Sequence, residues 1–344
     1  MKKMVLVAAV LAMTGSAFAA DMPLKAAKAP PPAPFDPWDI AFGSAIMNDY
    51  VFRGVTQSNH KASVAAYFEP RYNINKDLQL YLGVSSESIS FPNRAAAEVD
   101  IYGGIRPTIG MFAFDVGAWG YLYPGGQCFS AAAGPGSGIP GSGFDCIANG
   151  SLPNGLAVPV GFGNVVKRNV SFFEVYGKVN ATINDQWQFG VNEYYSPNFL
   201  NTGAWGDYAS ITGKWTAPST TFGSSGVGMY VSGEFGRQWL GTSDSFYGVA
   251  QLPGGPNFTL GIPEPSYNTW NIGLGFTYKV FTLDLRYSDT DLSRGNCNAF
   301  TSAFNGSGTT NVTPINPTGV GSNWCGAAGV AKLSADLTAM TNLK

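Results

Sequence analysis

The chain has 344 residues, of which 12% are charged, where soluble domains average about 25%. With 45% hydrophobic and 14% aromatic residues, a formal net charge of −2 and a mean hydropathy of +0.02, it is neither disordered nor basic enough to hold nucleic acid electrostatically. Its 44 glycines, scattered without a three-residue period, join the aromatics in pointing to many strands and turns.

Lys2 and Lys3 precede an apolar run from Met4 to Met13, and Ala17-Phe18-Ala19 supplies the small residues that a signal peptidase needs. Residues 1–19 therefore read as a signal peptide, its apolar run being too short for a spanning helix of roughly 20 residues. Its removal leaves 18 basic residues (20 − 2) against 22 acidic ones, a mildly acidic exported chain. Residues 20–37 carry Pro23, Pro30, Pro31, Pro32, Pro34 and Pro37 and read as an extended periplasmic linker. The folded domain is then 38–344, and it contains no run of 18 uncharged apolar residues.

Beyond the linker the dominant pattern is alternation with a period of two. Val99, Ile101 and Ile105 stand opposite Glu98, Asp100 and Arg106; Phe173, Val175 and Val179 opposite Glu174, Tyr176 and Lys178; Phe281, Leu283, Leu285 and Tyr287 opposite Thr282, Asp284, Arg286 and Ser288. In chain order the strands are expected at 38–46, 62–73, 78–86, 98–107, 111–123, 169–181, 186–196, 205–215, 226–238, 268–278, 281–290 and 327–337. Connections 74–77, 108–110, 182–185 and 279–280 are tight, while 47–61, 87–97, 124–168, 239–267 and 291–326 are long. Only 216–225, long for a turn, and 197–204, short for a loop, depart from that alternation. Beside the turns the apolar face carries Tyr72, Phe112, Trp187, Trp215, Tyr278 and Phe281, the interfacial girdle of a membrane barrel. A soluble sandwich would need that face polar. The expectation is an all-β, antiparallel, up-and-down transmembrane barrel of twelve strands in the bacterial outer membrane. Its short turns and both termini are periplasmic and its long loops extracellular.

The other face supplies the candidates for lining a pore: Glu69, Arg71, Glu98, Asp100, Arg106, Asp115, Glu174, Lys178, Lys214, Glu234, Asp284 and Arg286, with Lys279, Lys332 and Asp336 also counted on it. Near-balanced charge there serves either a water-filled path or a salt-bridged, filled lumen. The functional expectation is passive diffusion of small hydrophilic solutes or ions. The alternatives are a non-conducting structural or adhesive barrel and, behind it, a lipid-modifying enzyme. For the last, His60 is the lone histidine and lies in a loop without a G-x-S-x-G context; no catalytic residue is assigned. Asp289 and Asp291 fall short of the six to eight oxygens calcium takes and read as a strand-to-loop junction. No metal or cofactor is expected. The partners are outer-membrane lipids, lipopolysaccharide and small solutes, with no nucleic acid and an open oligomeric state.

Cys128, Cys146, Cys297 and Cys325 lie in two local pairs within loop-like stretches, and an oxidising compartment makes disulfides the default. Of three connectivities, Cys128–Cys146 and Cys297–Cys325 each close one loop. The long 124–168 connection has Val158, Val160, Phe162, Val165 and Val166 to bury, so it is expected either to fold against the mouth and narrow it or to form an external cap.

Asp49-Tyr50-Val51-Phe52-Arg53-Gly54-Val55-Thr56-Gln57-Ser58 resembles the D-Y-x-F-R-G-x-S-Q-S signature of the TorF-type porin family, also called Gcw_chp. Within it Asp49, Tyr50, Phe52, Arg53, Gly54 and Gln57 carry the match. Shorter similarities run through Glu98–Tyr102, Tyr121–Gly125, Glu174–Tyr176, Tyr195–Asn198 and Tyr287–Asp291, from about residue 39 to 297. The resemblance implies an outer-membrane barrel and no catalytic residues. The chain departs from it at its end, where Leu333–Leu337 is followed by a polar tail instead of a terminal aromatic.

Overall fold

A computed structural model describes residues 37–130, 143–144, 165–248, 258, 260–303, 306–317 and 319–343. The signal peptide and nearly all of the linker expected from sequence lie outside the described residues. Twelve strands form one closed antiparallel barrel: β1 (Trp38–Met47), β2 (Ser63–Asn75), β3 (Leu78–Glu87), β4 (Glu98–Ile109), β5 (Phe112–Leu122), β6 (Phe172–Thr182), β7 (Trp187–Ser196), β8 (Gly206–Thr216), β9 (Val227–Leu240), β10 (Tyr267–Tyr278), β11 (Phe281–Thr290) and β12 (Ala328–Thr338). Each strand pairs with its sequence neighbours. β12 closes the ring on β1, with Ala41 opposite Thr338 and Met47 opposite Lys332. The missing terminal aromatic does not prevent closure, because β12 is also paired to β11 from Phe281–Ala335 to Ser288–Ala328. Pro70 and Pro107 interrupt the ladders where they fall, since neither has an N–H to donate: β2–β3 rungs stop at Phe68–Val84 and resume at Arg71–Tyr81.

The two-residue period sends apolar side chains outwards. Ile46, Val64, Leu82, Ile101, Val191, Ile211 and Ile272 are each more than half exposed, while Glu69, Asp115, Glu174, Lys178 and Asp284 on the opposite face are buried. That is the inverse of a soluble protein. Closure removes every strand edge, which is the condition a β-structure must meet to sit in hydrocarbon. Outward aromatics mark both boundaries: Tyr72, Phe112, Trp187, Tyr278 and Phe281 at the turn end, Phe173, Tyr195, Trp239 and Tyr287 at the loop end. The chain is an outer-membrane barrel with long loops on one side and short turns on the other. Lys279 sits with Val280 in the β10–β11 turn at φ 53° and is not an interior residue as the alternation implied.

Inward glycines let inward tyrosines lie against the wall. A Cβ at Gly83 would come within 2.2 Å of the Tyr102 ring on β4, and one at Gly275 within 2.0 Å of the Tyr230 ring on β9. Each tyrosine is paired across the ladder with its glycine. The glycine and aromatic content of the sequence is spent on this lining.

Candidate functional site in the barrel interior

The D-Y-x-F-R-G segment is a hairpin that turns into the barrel. Val51–Phe52 pairs with Val55–Thr56, and the two residues at its tip, Arg53 and Gly54, both have positive φ (47° and 76°), the geometry of a type I′ turn. Only glycine fits the second position. A Cβ on Gly54 would meet Thr269 Oγ1 of β10 at 2.7 Å and Thr290 of β11 at 2.9 Å. The hairpin is braced behind its tip, where Asp49 accepts from Thr56 Oγ1 (2.5 Å) and Ser58 Oγ (2.9 Å). Gln57 Nε2 donates to the Val55 carbonyl at 2.9 Å. Thr56 N donates to Trp324 O, and Val55 bridges Cys325, which the disulfide to Cys297 ties to α1 (Arg294–Thr301).

Arg53 carries the tip across the lumen. Its Nη1 and Nη2 donate to the two carboxylate oxygens of Glu174 on β6, each at 2.8 Å, and Nη1 also donates to Gln238 Oε1 on β9 at 2.9 Å. The guanidinium lies 4.6 Å from the ring centroid of Phe52, 4.9 Å from Tyr194 and 4.3 Å from Tyr208. Glu174 and Gln238 are fully buried. A planar, bidentate and aromatic-stacked arginine is a site a lysine cannot reproduce. Above the tip Val55, Phe172, Phe199, Tyr267 and Trp324 form an apolar cluster around a cavity of about 80 Å³.

Below it, the wall's own side chains meet. Arg106 grips Glu69 with Nη1 and Nη2 (2.8 and 3.2 Å), reaches Asp115 with Nε (3.3 Å) and stacks 3.5 Å from the Tyr81 centroid. Arg71 Nε adds 2.6 Å to Glu69, while the Tyr81 hydroxyl donates to Asp115 and meets that of Tyr176 on β6. On the far side Arg286 pairs with Asp284 at 3.0 Å, Tyr230 donates to Asp284, Tyr208 to Glu234 and Tyr67 to Asp336. Lys178 Nζ sits 4.5 Å from the Tyr176 centroid and Lys214 Nζ 4.4 Å from that of Tyr230. All twelve sequence-derived candidates face inwards; Arg106, Lys214, Glu234 and Arg286 are half-buried and the others buried.

Sequence reasoning missed three things here. Glu87 faces inwards and groups with Glu98 and Asp100. His60 is no free loop side chain: Nδ1 faces Asp49 Oδ2 at 2.7 Å and Nε2 faces the Asn323 carbonyl at 2.8 Å. With both ring nitrogens facing oxygen acceptors, and Ser58 Oγ turned to Asp49 and the Lys61 carbonyl, no serine–histidine relay is assembled among the described residues. The third is that the described inward-folded element is residues 49–58. Of the 124–168 connection, Val165 and Val166 pack on the apolar clusters at the mouth, and Val158, Val160 and Phe162 lie outside the described residues. Cys297–Cys325 is formed, with Cα atoms 5.9 Å apart; the Cys128–Cys146 pairing lies outside the described residues. Asp289 and Asp291 serve the junction, accepting from Thr290 N and Asn268 N.

No curated protein matches the chain. It is similar to solved structures of a FadL homologue from Pseudomonas aeruginosa (11% identity over 87% of this chain and 89% of that one, TM-score 0.39) and of an outer membrane channel from Pseudomonas putida F1 (9%, 90% and 100%, TM-score 0.37). LpxR from Salmonella typhimurium is similar at 9% identity over 86% and 99%, TM-score 0.37. Similarity at this level assigns no activity. The family described as "Bacterial protein of unknown function (Gcw_chp)" matches residues 32–134, a span that holds the inward hairpin and the three clustered acids.

Proposed function

We propose that the protein is a porin-like outer-membrane channel for small hydrophilic solutes or ions, closed at rest by its own 49–58 hairpin. The observation that supports this is the Arg53–Glu174 pair: the lumen is crossed by a segment that belongs to a loop, joined to the wall by this polar contact and by the packing of Phe52 and Val55. The wall behind it is polar, as a solute path requires, and the resemblance of the motif to TorF-type porins points the same way. We further read the chain as non-enzymatic, since His60 is committed on both nitrogens; phospholipid hydrolysis by purified protein would refute that.

A second reading is a non-conducting structural or adhesive barrel. It is favoured by the Glu69–Arg106–Asp115–Tyr81–Tyr176 chain, which links the walls from β2 to β6 beneath the hairpin. Planar-bilayer recording separates the two. The channel reading expects rare openings from wild type and frequent ones from Arg53→Ala. Silence from both, in protein whose unheated gel mobility shows a folded barrel, would leave the structural reading.

A further inference from the structure

Glu87 at the loop end of β3 stands directly across the ladder from Glu98 on β4, and Ser85 from Asp100. The two-residue period sends all of them into the lumen. One carboxylate oxygen from each of Glu87, Glu98 and Asp100 lies within 4.8 Å of the other two. Asp100 is 3% exposed and its buried Oδ1 makes no geometrically good hydrogen bond among the described residues; Oε2 of the half-buried Glu87 makes none either. The donors that reach the group are neutral: Tyr50 Oη (2.9 Å) and Tyr123 Oη (3.2 Å) to Glu98, and Ser85 Oγ (3.0 Å) to Asp100, with Ser85 also beside Glu87 and the Trp119 indole beside Asp100.

Charge counting shows an interior short of positive charge. Inward acids on the strands are Asp39, Glu69, Glu87, Glu98, Asp100, Asp115, Glu174, Glu234, Asp284 and Asp336; the inward bases are Arg71, Arg106, Lys178, Lys214, Arg286 and Lys332, joined by Arg53 from the hairpin. Ten acids against seven bases leave an excess of acid, to which Asp49 of the hairpin adds. Among the described residues the arginines are engaged elsewhere, with Glu174, Glu69, Asp115 and Asp284. Three carboxylates so placed need positive charge from outside the chain.

We propose that Glu87, Glu98 and Asp100 form a binding site for a hard divalent cation of the calcium class. Three carboxylates offer up to six oxygens, and Ser85 Oγ stands beside them. Ligand oxygens within 4.8 Å of one another fit bonds of roughly 2.4 Å to a single ion, the range calcium uses with six to eight oxygens. The ion enters from the loop side. Through Glu98 and Tyr50 it anchors the root of the inward hairpin, so it stiffens the closure. The site stands whether or not the barrel conducts.

The test is terbium luminescence on full-length protein refolded in lipopolysaccharide-free detergent, with Tyr50 and Tyr123 as sensitisers beside the site. The expected result is a saturable signal from one equivalent of terbium, displaced by calcium and weakened at least about 10- to 100-fold in Glu87→Gln and Asp100→Asn, the loss typical even of outer-shell partners. Asp291→Asn, at a carboxylate outside the cluster, leaves the affinity unchanged. Should Asp100→Asn fail to fold, Glu87→Gln decides alone, because its side chain is only half-buried and the amide keeps its shape. Absence of a saturable signal, or equal affinity in wild type and Glu87→Gln, overturns the site and leaves shared protons as the neutralising charge.

Discussion

At the loop end of the barrel the interior is filled by chain that does not belong to the wall, whereas at the turn end it is filled by the wall's own side chains. The hairpin, α1 and the 324–326 segment are knit to one another by backbone bonds, a disulfide and an apolar cluster. They meet the wall through Arg53 on Glu174 and Gln238 and through apolar packing, Phe52 on Tyr121 and Phe300 on Tyr267 among the contacts. The turn-end network has no such separable part, since Glu69, Arg106 and Asp115 sit on wall strands, paired with Ala41, Gln79 and Lys178 of their neighbours. A closure made of loop can leave as a unit; one made of wall residues cannot. The difference places any gate at the loop end.

The sharpest way to break that contrast is Arg53→Ala. It strands the Glu174 carboxylate, and removing one partner of a buried pair costs about 3–5 kcal/mol. Because the barrel ladder is untouched, the loss should fall on hairpin docking: wild-type gel mobility, new protease cleavage within 49–58 and larger or more frequent conductance steps. Arg53→Ala with Glu174→Gln should recover part of the loss, and no recovery would mean the pair does not hold the hairpin. At the turn end Arg106→Ala should instead lower the stability of the whole barrel.

A second test uses pH on the loop end alone. Burial pushes the Glu264 carboxyl up to about 8, so the folded segment around Glu264 holds it neutral after an unfolded one has ionised. The segment's stability should be complete below about pH 4.5, fall as pH rises towards 8 and then level off, by on the order of a few kcal/mol. Hydrogen exchange across that range checks the slope. Glu264→Gln should flatten it, and an unchanged slope would place the titration elsewhere. Reduction of Cys297–Cys325 probes the same end through its covalent tie. A bond closing a loop of this length is worth about 2–4 kcal/mol, here to the cap and not to the barrel. Reduced protein should keep its folded mobility while 291–327 becomes protease-sensitive; loss of the barrel would show that cap and wall fold together.

The wall was legible and the closure was not, for physical reasons. Alternation of Phe281, Leu283 and Leu285 with Asp284 and Arg286 fixes which face is inside, because a one-residue slip would put charge in lipid. Strand ends, girdle and the 297–325 disulfide followed from local pattern and compartment. What Arg53 touches depends on contacts 121 and 185 residues away, which no local period encodes. Its signal was present in Arg53-Gly54, a two-residue turn between apolar pairs, a weak form of the hairpin signature that asparagine or aspartate before glycine would have made plain. Glu87 was missed because it sits at a strand end, where alternation gives way to loop. Lys279 was misplaced for the mirror reason, as a turn residue counted into the period.

The smallest expected effect compares two arginines of the wall once the hairpin has been released by Arg53→Ala. Arg106 has 12% of its side chain exposed and holds two acids, while Arg286 has 26% exposed and holds Asp284. Each arginine-to-glutamate change alters the interior charge by two, and an interior already carrying more acids than bases should pass cations preferentially. Arg286→Glu should therefore fold and move the reversal potential further towards cations, by an amount that shrinks as salt screens the exposed charge. Arg106→Glu places a third acid against Glu69 and Asp115 in a nearly dry site, so its first effect is on folding yield and only its surviving channels report selectivity. An Arg286→Glu channel with the parent's reversal potential would mean that solute does not pass along the β10–β12 side of the barrel. The path would then run along the tyrosine-lined side between β3 and β6.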